Sequence, residues 1–408
     1  MVREDASVGP IVKYYAYVAT QAAWFVVPIW TLFLRHNGLT FAQVSALSAV
    51  WSGATVLGEV PTGYVADRIG RRDALLVGVV VQVVAIATFG LLSSFEAFVA
   101  AYVVWAVAET FRSGTDSAWL YDTLRERMAE DEFTRVKGRS TSVRLLVSGV
   151  SYPIGGFLAG VDYYVPFALS AVVMAVGIAV VLSIPETEQY RSGEVDAFTP
   201  GEAVPVLRET LTKPALRTVL VALAAVLAVG WSVQLYTQPV VRDVIVAAGF
   251  GQGAVEPLLG WLYAGFTGVG AVVTYYADRV ETRIGLGPWL RITPLALGVA
   301  YLATAAVPLL AIPTFLLMRG LLKTTRVLSD AYVNDHAESI GRATVLSAVS
   351  MLFSVARIPM LLLAGRLGDL HTPLWAIGAV GALLVVVTAG VWLLRPTVVA
   401  GDVAAAAD

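Results

Sequence analysis

Gly63-Tyr-Val-Ala-Asp67-Arg68-Ile-Gly70-Arg71-Arg72 stands where a long apolar run stops at water. Apolar runs of about 43–66 and 74–92 flank it. Each is close to the ~20 residues a helix needs to cross a bilayer. About seven residues separate them, so the spacing predicts a tight antiparallel hairpin of two spanning helices. Three arginines in so short a turn place it on the cytoplasmic side, because cytoplasmic loops retain Lys and Arg.

The composition agrees with a polytopic membrane protein. Of 408 residues 57% are hydrophobic and only 14% are charged, more apolar surface than a soluble domain of this length needs. There is no cysteine, which excludes disulfides, thiolate metal sites and a cysteine nucleophile. His36, His336 and His371 lie far apart and read as loop or helix-end residues, so no metal and no cofactor is expected. The first ten residues carry Arg3, Glu4 and Asp5, with no removable signal peptide expected behind them.

Working outward in both directions, twelve apolar spans appear, at about 11–34, 43–66, 74–94, 97–121, 142–161, 164–184, 215–238, 256–277, 288–307, 310–332, 343–366 and 373–394. The longest polar stretch, 185–213, divides the chain into an N-terminal half, 1–184, and a C-terminal half, 214–408. An even number of spans puts both termini on one side. Of 28 Lys and Arg, only Arg35, Arg242 and Arg366 fall at external loops; five lie inside spans and the other 20 at internal loops, inner span ends or the termini. Both termini are therefore expected in the cytoplasm of a cell-membrane protein.

The halves repeat. Tyr64, Ala66, Asp67 and Arg68 return as Tyr275, Ala277, Asp278 and Arg279, and Ala118-Trp119 with Asp122 returns as Ala331-Tyr332 with Asp335. Two six-helix halves related by a pseudo-twofold axis are the building plan of alternating-access carriers.

Ionisable residues inside spans mark the chemistry. Helix four carries Glu109, Arg112 and Asp116, spaced three then four; helix ten carries Arg319, Lys323, Arg326 and Asp330, spaced four, three, four. Those spacings predict one charged stripe on each helix. A charge at mid-membrane costs at least about 2.5 kcal/mol, so such residues are functional by default. Arginine can clamp a carboxylate or phosphate with two parallel bonds. A glutamate in a desolvated cavity can carry a proton near neutral pH. Glu59 and Arg357 are further charges in helices two and eleven, each two residues before a proline, and form a conceivable pair. Tyr17, Gln21 and Trp24 share one face of helix one and are expected, with Gln234 of helix seven, to line a cavity.

The stretch from Gly63 to Arg72 resembles the signature loop between helices two and three of the major facilitator superfamily (MFS) at its defining positions. The resemblance implies an all-α fold of twelve transmembrane helices, with helices 1, 4, 7 and 10 around a central cavity. It implies a cytoplasmic gate made by Gly63, Asp67, Arg68, Gly70, Arg71, Arg72, Asp122, Asp278 and Arg279. Gly63 would let helix two approach helix eleven, Asp67 would sit near the N-terminus of helix eleven, and Arg71 would bridge to Asp122. In the second copy Thr274 replaces the glycine, so that copy is expected to be the weaker. Gly149-Val-Ser-Tyr-Pro153-Ile-Gly155-Gly156 resembles the motif of the drug/proton antiporters in this superfamily, with Tyr152 in place of the glycine before the proline.

No phosphate-binding Gly-x-x-x-x-Gly-Lys-Ser/Thr loop, His-Glu-x-x-His or Gly-x-Ser-x-Gly motif is present, so neither a pump nor a protease is expected. The chain reads as a secondary transporter, not an enzyme: a proton-coupled exporter of a small amphipathic or drug-like solute. The alternative is a carrier of a small organic or inorganic anion, and a non-transporting receptor ranks last. Its expected partners are a small-molecule substrate, protons and the lipid bilayer, with no nucleic acid, acting as a monomer.

Overall fold

The computed structural model describes residues 2–127, 132–186, 214–336 and 342–394. All of it is helix and short connections, with no strand among the described residues. In chain order the helices are α1 Val2–Ala22, α2 Trp30–His36, α3 Phe41–Ile69, α4 Arg71–Phe89, α5 Phe95–Arg112, α6 Thr115–Arg127, α7 Glu132–Ala159 and α8 Tyr164–Ser183. They continue as α9 Pro214–Gln234, α10 Thr237–Ala247, α11 Val255–Tyr275, α12 Ala277–Arg283, α13 Leu286–Ala306, α14 Ala311–His336, α15 Arg342–Leu370 and α16 Pro373–Leu394. Most of the polar stretch expected at 185–213 lies outside the described residues.

Among the described residues nine helices are long and apolar enough to span a bilayer, and a tenth span is the pair α9–α10, bent by 46°. In lipid only a structure that satisfies its backbone internally can cross, which selects helices here. Two of the twelve expected spans fail that apolar test. They are α5–α6 and α14, the two helices that carry the charge stripes.

Several helices differ from their expected course. The first span is broken: α1 stops at Ala22, and a 3-10 turn Val27–Ile29 leads into α2. Hydropathy runs unbroken through this stretch, so it gave no sign of the break. The freed backbone is satisfied locally: the Ser148 hydroxyl donates to Ala22 O, and the Phe25 N–H donates to Ser170 Oγ at 3.2 Å. The fourth span breaks at Gly114, whose φ of +76° no regular helix accommodates. The seventh span extends to Ala247 rather than ending near 238. The connection between α3 and α4 is one residue, Gly70, not seven.

By contact the chain divides into two compact units: unit 1 is Met1–Phe33, Val50–Ala197 and Gly253–Thr267; unit 2 is Leu34–Ala49, Phe198–Gln252 and Gly268–Asp408. Neither unit is continuous in sequence: residues 34–49 group with unit 2 and residues 253–267 with unit 1. In unit 1, α4 packs on α5 and α8, and α1 on α7 and α8. In unit 2, α13 packs on α16 and α9 on α15. Lipid tails are as apolar as leucine, so close backbone approach at small residues drives this packing. A Cβ at Gly381 would lie 2.8 Å from Gly298 O, and one at Gly260 would lie 2.7 Å from Tyr152 O.

Candidate functional site

At the α3–α4 turn, Gly70 has φ +98°, and a Cβ there would sit 3.0 Å from Glu186 Oε2. Arg71 Nε donates to Asp122 Oδ2 at 2.8 Å, with Asp122 nearly buried. Arg72 pairs with Asp73 at 3.0 Å and faces Glu186 at 3.9 Å. Glu186 and Asp73 both stand at the start of α4, where the helix dipole favours negative charge. Glu186 escaped the sequence reading because it opens the polar stretch after helix six. Arg68 stacks over Tyr64 at 4.3 Å, and Asp67 is half-buried. A Cβ built on Gly63 would meet no atom within 4 Å. In the second copy Arg279 stacks over Tyr276 at 4.8 Å, while the Asp278 side chain lies outside the described residues.

The centre of unit 1 is built around Arg112. Its guanidinium is nearly buried; Nη1 lies 3.5 Å from Glu109 Oε2, and Nε donates to Tyr17 Oη at 3.4 Å. The arginine stem crosses α4 at Gly78, where a Cβ would lie 2.6 Å from Arg112 Cγ. Glu109 keeps 39% of its side chain exposed, so this buried cation is joined to an accessible carboxylate. The single stripe expected on helix four is corrected by the Gly114 break. Asp116 belongs to α6, and its carboxylate pairs with Lys137 Nζ of α7 at 3.6 Å. Lys137 also donates to Ser117 Oγ at 2.6 Å and to Tyr14 Oη at 3.2 Å. Lys137 was not singled out in the sequence, because a lysine at an inner helix end reads as a topology charge.

The aromatic and amide residues of the first span divide. Tyr17 joins Arg112. Trp24 sits in the break, donates Nε1–H to Gln21 O at 2.9 Å and stacks on Trp105 at 5.2 Å. Trp105 gathers Trp30 at 5.0 Å and Trp51 at 6.4 Å as well. Gln21 does not line a surface: it is 1% exposed, packs at Gly177 and reaches Met174 O of α8. Glu59 is half-buried on α3.

In unit 2, α14 runs unbroken, so its charges do share one helix. Arg326 pairs with Asp330 at 3.1 Å and stacks over Phe353 at 5.6 Å. Lys323 is exposed and Arg319 is half-buried. On α15, Arg357 stacks over Trp231 of α9 at 5.2 Å; a cation over an indole face gains about 0.5–2 kcal/mol. Gln234 is half-buried at the end of α9. No group of three or more His, Asp or Glu suited to a metal ion occurs among the described residues.

Known proteins are similar to this chain over most of its length. The uncharacterized MFS-type transporter YxaM of Bacillus subtilis (strain 168) is 23% identical over 344 residues, covering 81% of this chain and 82% of that one. Crystal structures with the same fold include the nucleoside transporter NupG, with 10% identity, a TM-score of 0.77, and coverage of 94% of this chain and 97% of that one. Another is a bacterial homologue of the human lysosomal transporter Spinster, with 14% identity, a TM-score of 0.69 and 98% of both chains covered. The family model of the Major Facilitator Superfamily matches residues 15–343. The chain belongs to the Major Facilitator Superfamily of membrane transporters.

Proposed function

We propose that this transporter works by proton-coupled alternating access and exports a small amphipathic or drug-like solute. The observation that carries the reading is the trio Tyr17, Arg112 and Glu109. A buried arginine holds a half-exposed carboxylate inside a helix too charged to cross lipid alone. Such a carboxylate can take up a proton when the arginine is engaged elsewhere, and a bound solute is one agent that could engage it. The ring cluster around Trp105 offers flat apolar surface to an amphipathic solute. In this reading residues 1–184 and 214–408 are the moving halves, joined by the 185–213 segment. The protein sits in the cell membrane as a monomer, with both termini in the cytoplasm. Gly63, Asp67 and the Arg71–Asp122 pair then belong to the cytoplasmic gate.

A second reading has its own support. Residues 311–330 of α14 carry three cations and one acid, and α15 adds Arg357. That excess of positive charge suits a small organic or inorganic anion. A thermal-shift screen of the purified protein separates the two readings, because a ligand that binds the folded state raises its melting temperature. Stabilisation by tetraphenylphosphonium or ethidium, lost in Glu109→Gln, supports export of amphipathic solutes. Stabilisation by benzoate, citrate or phosphate, lost in Arg319→Ala or Lys323→Ala, moves the assignment to the anion carrier.

A further inference from the structure

The last turns of α15 meet the first turns of α3 inside unit 2. Asp369 Oδ1 accepts the Phe41 N–H at 2.7 Å, and Oδ2 accepts the Ala42 N–H at 2.9 Å. The first N–H groups of a helix have no partner within it. Here Thr40 and Gln43 satisfy two of them reciprocally: the Thr40 N–H donates to Gln43 Oε1 at 2.9 Å, and the Gln43 N–H to Thr40 Oγ1 at 3.2 Å. Asp369 takes the two between them. Yet Asp369 stands at the C-terminal end of its own helix, where the dipole disfavours a negative charge. The two donors of α3 offset that unfavourable position.

The surrounding residues are shaped for that contact. A Cβ at Gly365 would overlap Ser45 Oγ and lie 2.8 Å from Phe41 O; one at Gly368 would lie 2.8 Å from the Tyr236 ring. Tyr236, at the α9–α10 break, donates its hydroxyl to Ala364 O and meets Phe41 edge-on at 5.5 Å. Gly365-Arg-Leu-Gly-Asp369 repeats the Gly-x-x-x-Asp spacing of Gly63-Tyr-Val-Ala-Asp67. So α3 and α15 each end in a glycine one turn before an aspartate. The contact thus combines a carboxylate on two backbone donors, one side-chain hydrogen bond, a ring contact and close backbone approach.

We propose that Gly365, Gly368 and Asp369 form an external clamp on the N-terminus of α3, the counterpart of the cytoplasmic gate assigned to Gly63 and Asp67. The clamp closes when the cytoplasmic gate opens and releases when that gate closes. This rests on the alternating-access reading above and adds to it which residues hold the external side shut.

The chain has no cysteine, so one introduced thiol reports alone. Ser45 lies fully buried under Gly365, and Thr304 lies equally buried on α13, bonded to Thr314 at 2.7 Å. Ser45→Cys and Thr304→Cys are reacted with a maleimide in lipid nanodiscs. Asp369→Asn is expected to raise the rate at position 45 about tenfold and leave position 304 unchanged. Asp67→Asn is expected to lower the rate at position 45, because weakening the cytoplasmic gate favours the closed external clamp. An unchanged rate at 45 in Asp369→Asn overturns the proposal. A rise at both positions also overturns it, since Asp369 then only supports the fold. An unchanged or raised rate at 45 in Asp67→Asn overturns the alternation. Solute-driven proton movement, measured separately, shows whether the transport reading itself survives.

Discussion

Arg112 is accommodated by three neighbours from different parts of the chain. Gly78 leaves room for its stem, Tyr17 accepts from its Nε, and Glu109 faces its terminal nitrogen. Filling the space at Gly78 should therefore act through the arginine. Gly78→Val is expected to destabilise by about 1–3 kcal/mol, the usual cost of overpacking. Thermal unfolding of the purified protein measures it; an unchanged midpoint would mean that the arginine stem moves aside freely. The Arg71–Asp122 pair makes a second residue-level claim. Leaving one partner of a buried hydrogen-bonded pair unmatched costs about 1–3 kcal/mol. Arg71→Gln and Asp122→Asn should each lower stability, and the double variant should be no worse than the poorer single one. Additive losses would show that the two side chains act independently.

At the level of elements, the breaks in α1–α2 and α5–α6 matter more than any single contact. The first exposes Ala22 O and the Phe25 N–H, which Ser148 and Ser170 answer. Ser148→Ala and Ser170→Ala are each expected to cost about 1 kcal/mol, the net worth of one hydrogen bond. Melting of both single variants and the double checks this; no loss in either would mean water substitutes at the break. These elements also show what was legible beforehand. The hairpin around Gly70 was readable, because membrane edges leave a mark in hydropathy; the pairing of Arg71 with Asp122 was expected only from the resemblance of that loop to the superfamily's signature. The break after Ala22 was not readable, since a run of apolar residues looks the same whether its backbone is helical or unwound. The break at Gly114 placed Asp116 on a different helix from Glu109 and Arg112, and spacing arguments assume a continuous helix. Lys137 and Glu186 were hidden by their positions at helix ends, where charges ordinarily report topology. Gln21 turned out to be a packing residue: its chemistry was visible, but not the face of α1 that α8 covers.

For the whole molecule, the two expected spans that fall short of the apolar test, α5–α6 and α14, are those with ionisable groups along their length. A transporter with a water-filled path needs such helices, and a scaffold does not. The two units differ in sign: Glu109 offers unit 1 an accessible carboxylate, while α14 and α15 give unit 2 a surplus of cations. The central claim is that Glu109 carries the proton that drives transport. Proteoliposomes loaded with a pH-sensitive dye test it most directly, with tetraphenylphosphonium, ethidium, benzoate and phosphate added in turn. The account predicts that at least one of the amphipathic solutes moves protons through the native protein and that Glu109→Gln abolishes the signal. An equal proton signal in Glu109→Gln would contradict it.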